Sequence, residues 1–190
     1  MSERAQVHVL VEGYAGDRVA SSVTLVRDGD RVVVIDPGMV AAQSVILEPM
    51  RSLGIDPLSV TDVILSHHHP DHTINAGLFP NALIHDFWAI YDHDQWLDRE
   101  SMQIGPSTSL LSTPGHTDQD ISTVIVTDEG AVVCTHAWWT VDGPELDPFS
   151  GDQSILDASR ASILALSPIK IIPGHGRAFR PSEIDFDRRR

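Results

Sequence analysis

Cysteine is nearly missing from this chain: Cys134 stands alone among 190 residues. A single cysteine excludes an internal disulfide framework and an all-cysteine zinc site. Positive charge is scarce too. Thirteen Lys and Arg face 27 Asp and Glu, for a formal net charge of -14, and that balance opposes holding a polyanion along a broad surface. Duplex nucleic acid is therefore a poor partner. No run of about 18 apolar residues exists to span a bilayer, and the apolar stretch 7–11 is too short for the core of a secretory signal. The expectation is a cytoplasmic protein without membrane attachment. What remains is ordinary for a globular chain, 42% hydrophobic and 21% charged. Neither a solenoid period nor a low-complexity linker divides it, and the length suits one domain spanning 1–190.

Patterning predicts strands at both ends of that domain. Segments 21–27 and 31–36 are β-branched runs joined by Asp28-Gly29-Asp30, a hairpin signal. The second run stops at Asp36-Pro37-Gly38, a turn that frees the Asp36 side chain. Helical spacing over 41–53 predicts a helix shortened by Pro49. A short apolar strand, 63–65, then runs into Ser66-His67-His68-His69-Pro70-Asp71-His72, and Pro70 is expected to hold off any helix until after the cluster. The histidines are thus placed on a loop at a strand end. Further strands are expected at 82–85, 109–111, 122–126, 131–134 and 170–172, a helix at 152–166, and a long loop at 142–151. The order predicts an α/β architecture with two sheets face to face and helices outside.

Ten histidines are the excess in the composition. In an extended segment alternate side chains point the same way, so His67 and His69 converge on one metal while His68 faces away. After the turn at Pro70, Asp71 and His72 reach toward a second cation. This imidazole and carboxylate set suits zinc or a similar first-row metal. Three more histidines follow predicted strands: His116 in Thr113-Pro114-Gly115-His116-Thr117, His136 in Cys134-Thr135-His136, and His175 in Pro173-Gly174-His175-Gly176. Separate loops then meet at one edge.

With these motifs the sequence resembles the metallo-β-lactamase fold superfamily over roughly 7–179. The shared features are the first-loop motif, the Pro-Gly-His turn, a strand-end ligand position and the last Gly-His. The resemblance implies an αββα sandwich in which His67, His69 and His116 hold a first metal and Asp71, His72 and His175 a second, with Asp36 supporting the site. One position departs from the pattern. Where most members carry a bridging aspartate, this chain has His136, and a neutral imidazole offers one lone pair, so it binds one metal without bridging or binds none.

The implied cofactor is zinc, one or two ions, with iron or manganese as alternatives. The implied reaction is hydrolysis of a small-molecule ester, thioester, lactone or amide by a metal-bound hydroxide. Asp71 would orient the nucleophile, and His136, if not a ligand, would protonate the leaving group. Alternatives on the same fold are a phosphodiesterase or nuclease acting on short nucleic acid, an iron-dependent sulfur dioxygenase, and a metal-binding module without turnover. One domain's length leaves no room for the clamp domain of members that process long nucleic acids.

Other conspicuous residues have plainer readings. His8, His85 and His93 lack motif support, and His68 is expected to face solvent. Cys134 reads as a small buried hydrophobe. Trp138 and Trp139 cannot face the same side of a strand, so one of them is expected to border the pocket. Four tryptophans in a small acidic chain predict a homodimer. Residues 188–190 read as a solvated end.

Overall fold

The computed structural model describes residues 4–184, so 188–190 lie outside the described residues. From the N-terminus come β1 (Gln6–Val11), β2 (Tyr14–Ala15), β3 (Val19–Ala20), β4 (Val23–Asp28) and β5 (Arg31–Ile35). Next are α1 (Ser44–Ser52), β6 (Asp62–Ile64), α2 (Pro70–Thr73) and β7 (Leu83–His85). Then follow β8 (Ala89–Asp92), β9 (Gln95–Asp98), β10 (Thr108–Ser112), β11 (Ile121–Thr127) and β12 (Gly130–Thr135). The last are α3 (Gln153–Ala165) and β13 (Lys170–Pro173).

These strands form a seven-stranded sheet in the order β1-β4-β5-β6-β7-β8-β9 and a four-stranded sheet in the order β10-β11-β12-β13, with β2 and β3 paired separately. The β4–β5 hairpin closes at Asp28 opposite Arg31, with Gly29 at φ +65 supplying the left-handed residue of its turn. β5, β6 and β7 run parallel, as do β12 and β13. Parallel neighbours end at the same sheet edge, so the loops leaving β5, β6 and β13 can carry site residues to one place.

Period-two patterning explains how the layers stack. In β5, Val33 and Ile35 enter a core shared with Ile125, Val132 and Ile172 of the other sheet, whereas Val34 faces Ile46 and Met50 of α1. In β12, Val132 and Cys134 join the shared core, and Val133 turns outward against Leu156 and Ile163 of α3. Each fully buried aliphatic side chain contributes roughly 1.5–3 kcal/mol. A one-residue slip of either strand would move its inner set to the wrong face. The result is helix, sheet, sheet, helix, as the order of elements predicts.

Two details differ from expectation. α2 starts at Pro70, not after the cluster, because proline is well suited to the first helical position, where its missing N–H costs nothing. Asp71 and His72 therefore ride on a helical turn, with His69 as its N-cap. The β8–β9 hairpin has no counterpart in the sequence patterning. Its turn uses His93 at φ 54 instead of glycine, and every residue of β9 is exposed. Among the four tryptophans, Trp138 is buried in the α3 core, while Trp88 and Trp96 are exposed. No described helix is long and apolar enough to cross a membrane.

Candidate metal centre

Asp36 organises the edge from which the site grows. It ends β5 in the left-handed region at φ 52, a conformation that aspartate tolerates better than most side chains. Its N–H donates to the Ile64 carbonyl at 2.9 Å, and its Oδ1 accepts from the Ser66 N–H at 2.7 Å, which ties the start of the histidine loop to β5. Its Oδ2 lies 2.9 Å from His72 Nδ1. Gly38 permits α2 to approach: a Cβ there would stand 1.5 Å from the Asp71 carbonyl oxygen.

The first trio is His67, His69 and His116. His69 Nδ1 lies 3.0 Å from His67 Nε2 and 3.0 Å from His116 Nε2. The His116 loop is anchored to the histidine loop through Ile121 N–H, which donates to the Ser66 carbonyl at 2.9 Å. His116 Nδ1 lies 2.9 Å from Asp147 Oδ2, and His67 Nδ1 lies 3.0 Å from Ser66 Oγ. Asp71, His72 and His175 form the second trio, with Asp71 Oδ2 3.4 Å from His72 Nε2 and 3.6 Å from His175 Nε2. His175 is positioned by its own backbone, whose N–H donates to the Trp139 carbonyl at 2.7 Å, and by Nδ1 against the Ala20 carbonyl at 2.8 Å.

His136 stands between the two trios. Its ring centroid is 4.1 Å from that of His116, 4.6 Å from His67 and 4.8 Å from His72, and its Nε2 is 3.3 Å from His175 Nε2. With His67 and His72 it forms a third, wholly buried group of converging donor atoms. Gly174 makes room for it, since a Cβ at 174 would lie 2.3 Å from His136 Cδ2.

The donor chemistry fits a cation. His72, His116 and His175 each present Nδ1 to an oxygen acceptor, of Asp36, Asp147 and Ala20 respectively. In the neutral tautomer that places the proton on Nδ1 and leaves the Nε2 lone pair facing the cluster. His72 Nε2 and His136 Nδ1 are buried and have no hydrogen-bond partner among the described residues. Lone pairs converging at 3.0 Å with nothing between them repel unless a proton or cation is shared.

Burial governs the charge of the rings. It pushes His67 and His136 well below the ordinary imidazole range, helped by the neighbouring histidines, and it lowers His69 and His175 as well. His72 is the exception. Burial opposes its charge, but the Asp36 and Asp71 carboxylates prevail and raise it to about 9. Burial pushes Asp71 up, yet the His72 ring, its Nε2 3.4 Å from Asp71 Oδ2, outweighs it and holds the carboxyl at about 2. A cation at the second trio would thus have to displace the His72 proton.

Above the cluster lies a cavity of about 360 Å³. His69, Asp71, His116, His136 and His175 line it, and Trp139 contributes its wall while Trp138 faces the core. All seven histidine and aspartate positions expected from the sequence are therefore gathered at one place, with Asp36 behind them.

Several residues have roles that the sequence did not reveal. Asp147, in the long loop before α3, supports His116 and accepts from Trp139 Nε1 at 2.8 Å. Asp120, pushed up to about 6 by burial, lies 3.9 Å from His67 Nδ1 and accepts from the Thr117 N–H. His68 is partly exposed, but it does not simply face solvent: its Nε2 lies 2.9 Å from Asp86 Oδ2, and its ring packs edge-on to Trp88. His85 is buried against Asp62 at 2.8 Å, and His93 is exposed beside Asp92. Cys134 is buried, and burial pushes its thiol up to about 12, so it is no nucleophile.

The chain has relatives among known proteins. Residues 16–133 match the family model described as the metallo-beta-lactamase superfamily. The chain is 33% identical over 190 residues to metallo-beta-lactamase domain-containing protein 1 of Xenopus laevis, covering 92% of this chain and 81% of that protein. It is similar in fold to an N-acyl homoserine lactone hydrolase that holds N-hexanoyl-L-homoserine at its catalytic metal centre. That match has a TM-score of 0.67 at 18% identity, over 92% of this chain and 93% of that one. A chemotaxis sensor with a peroxy diiron species shares the fold at a TM-score of 0.70 and 15% identity, over 95% of this chain and 88% of that one. By the family match and the extent of its likeness to the frog protein, the chain belongs to the metallo-beta-lactamase superfamily.

Proposed function

We propose that the chain is a metal-dependent hydrolase acting on a small carbonyl compound: an ester, thioester, lactone or amide. The observation that carries this reading is the convergence of two ligand trios beneath one cavity, which His69 and His116 of the first trio and Asp71 and His175 of the second line. His67, His69 and His116 would hold the first cation, and Asp71, His72 and His175 the second. Zinc suits this set, and iron or manganese would also accept it. Once bound, such a cation supplies a water of lowered pKa and polarises the substrate carbonyl.

The chain's own residues then divide the remaining work. Asp71 is ionised at neutral pH, so its carboxylate can accept a proton from water and orient it. His136 is held neutral by burial, which disfavours the protonated form that a leaving-group acid needs. That supports a ligand role for His136 over a proton-donor role. A phosphodiester reading gains no support from the cavity, whose lining includes no Lys or Arg side chain among the described residues. A homodimer in the cytoplasm completes the proposal, with the exposed Trp88 and Trp96 rings as its support.

Metal content by element, on protein purified without a histidine tag, tests the reading together with turnover of an aryl ester panel and a bis-aryl phosphodiester. One or two equivalents of zinc and cleavage of esters are expected. Metal-loaded protein that cleaves only the phosphodiester would overturn the assignment, and iron with oxygen uptake on a persulfide would replace hydrolysis by oxygen chemistry.

A further inference from the structure

The cavity above the cluster is polar on its floor and apolar on its walls. Ala15 and Val19, from the paired strands β2 and β3, line it together with Pro70. Trp139 and Phe149 line it as well, their rings stacked with centroids 5.8 Å apart and planes 24° apart. Phe149 is 61% exposed, a large apolar ring left uncovered beside the candidate metal site. Its backbone is fixed, because the Phe149 N–H donates to Asp147 Oδ1 at 2.9 Å. The same carboxylate holds His116 and Trp139 through Oδ2. The ring wall and the first trio are therefore set in register by one side chain.

Charge is distributed just as unevenly. Apart from histidine, Asp71 is the one ionisable side chain among the described residues that line the cavity. The nearest strand pair does carry a cation, Arg18, but it lines a neighbouring cavity and stands over the Tyr14 ring at 5.4 Å. An anionic arm laid on the two aromatic rings would lose water there, with no Lys or Arg side chain among the described residues of the lining to offset the loss. An uncharged apolar arm would cover those rings, and each methylene so buried is worth roughly fourfold in affinity.

We infer that this cavity takes an uncharged carbonyl compound whose apolar arm lies on the Trp139 and Phe149 rings, and that Phe149 sets the preference for arm length. The inference rests on the hydrolase reading, and its test is built so that the two can fail separately. Three para-nitrophenyl esters are compared on the metal-loaded protein: acetate, hexanoate, and the adipate monoester, whose arm matches hexanoate but ends in a carboxylate. A fourth ester ends the same arm in trimethylammonium. Hexanoate is expected to exceed acetate at least tenfold in kcat/KM, chiefly through KM, and to exceed both charged arms by a similar factor. Phe149→Ala should reduce the advantage of hexanoate over acetate about tenfold with metal content unchanged, and Phe149→Leu should restore part of it.

Binding without turnover supplies the second readout. Methyl hexyl ketone should bind more tightly than the ketone of equal length ending in carboxylate, and Phe149→Ala should erase most of that difference. If no ester is cleaved, the hydrolase reading fails and the ketone pair alone decides the inference. Equal affinity for the two ketones would overturn it. So would charged arms turned over as fast as hexanoate, or a Phe149→Ala variant that slows acetate and hexanoate alike.

Discussion

His116 Nδ1 and Asp147 Oδ2 are joined by a 2.9 Å hydrogen bond, which fixes the tautomer that presents the His116 Nε2 lone pair to His67 and His69. Asp147 accepts from Trp139 as well, so a single buried carboxylate supports a candidate ligand and the cavity wall. Removal of such an outer partner typically costs 10- to 100-fold in metal affinity. Asp147→Ala should therefore bind the first metal about 10- to 100-fold more weakly, read by competition with a chromophoric chelator. Unchanged affinity would mean that His116 is not held for coordination.

His69 Nδ1 is the point on which both other nitrogens of the first trio converge. His69→Ala leaves two ligands where a firmly bound zinc ion needs at least three from the protein. Loss of one equivalent of metal and of ester hydrolysis is expected, measured by elemental analysis and turnover on the same preparation. A variant that keeps its full metal content would remove the first trio from consideration.

Proton release should accompany metal uptake at the second trio. In the metal-free protein burial opposes the His72 charge, but Asp36 and Asp71 raise its pKa to about 9, so at neutral pH the ring carries a proton that coordination must displace. Asp71, at about 2, has none to give. Affinity for the second metal should thus rise about tenfold per pH unit up to about pH 9. Calorimetry in buffers of different ionisation enthalpy should find about one proton released near pH 7. The sign for stability is the reverse. A raised histidine pKa stabilises the metal-free fold at pH values below the unfolded pKa near 6.5, and that contribution fades as pH rises through about 9. Zero proton release would show that His72 stays outside the coordination sphere.

How much of this could be read in advance depended on whether a feature has a period. The order of strands and helices made the sandwich legible, and the alternation in β5 fits it, because Val33 and Ile35 share a face that Val34 does not. Alternation also separated His68 from His67 and His69, but the partner of His68, Asp86, lies 18 residues away with no spacing to announce it. The β8–β9 hairpin was illegible for the opposite reason: all of Gln95–Asp98 is exposed, so no buried face imposed a pattern. Pro70 carries two opposed signals, a bias against helix in the residue before it and a preference for the first helical position, and with Asp71 in the first turn the second prevails. Asp120 and Asp147 sit on irregular loops, where a lone carboxylate looks like any surface acid until the chain is folded.

His136 is the residue by which this chain departs from the strand-end carboxylate of the family pattern it resembles. Its ring lies among His67, His72, His116 and His175, and burial keeps it neutral. A neutral imidazole has one free lone pair and serves one cation at a time, so His136 as a ligand adds a fourth donor to the second trio without linking the two sites. An aspartate at the same place could reach both cations through its two oxygens. His136→Asp should therefore raise occupancy of the second site, whereas His136→Ala should lower it or make activity depend on added metal. Because Gly174 packs directly on the His136 ring, both variants leave space there, and their melting temperatures need to be compared first. Metal stoichiometry measured across a chelator series then separates the possibilities. If neither substitution changes it, and a metal-bound crystal structure shows the His136 imidazole turned away from both cations, His136 is a packing residue of the cluster and not a ligand.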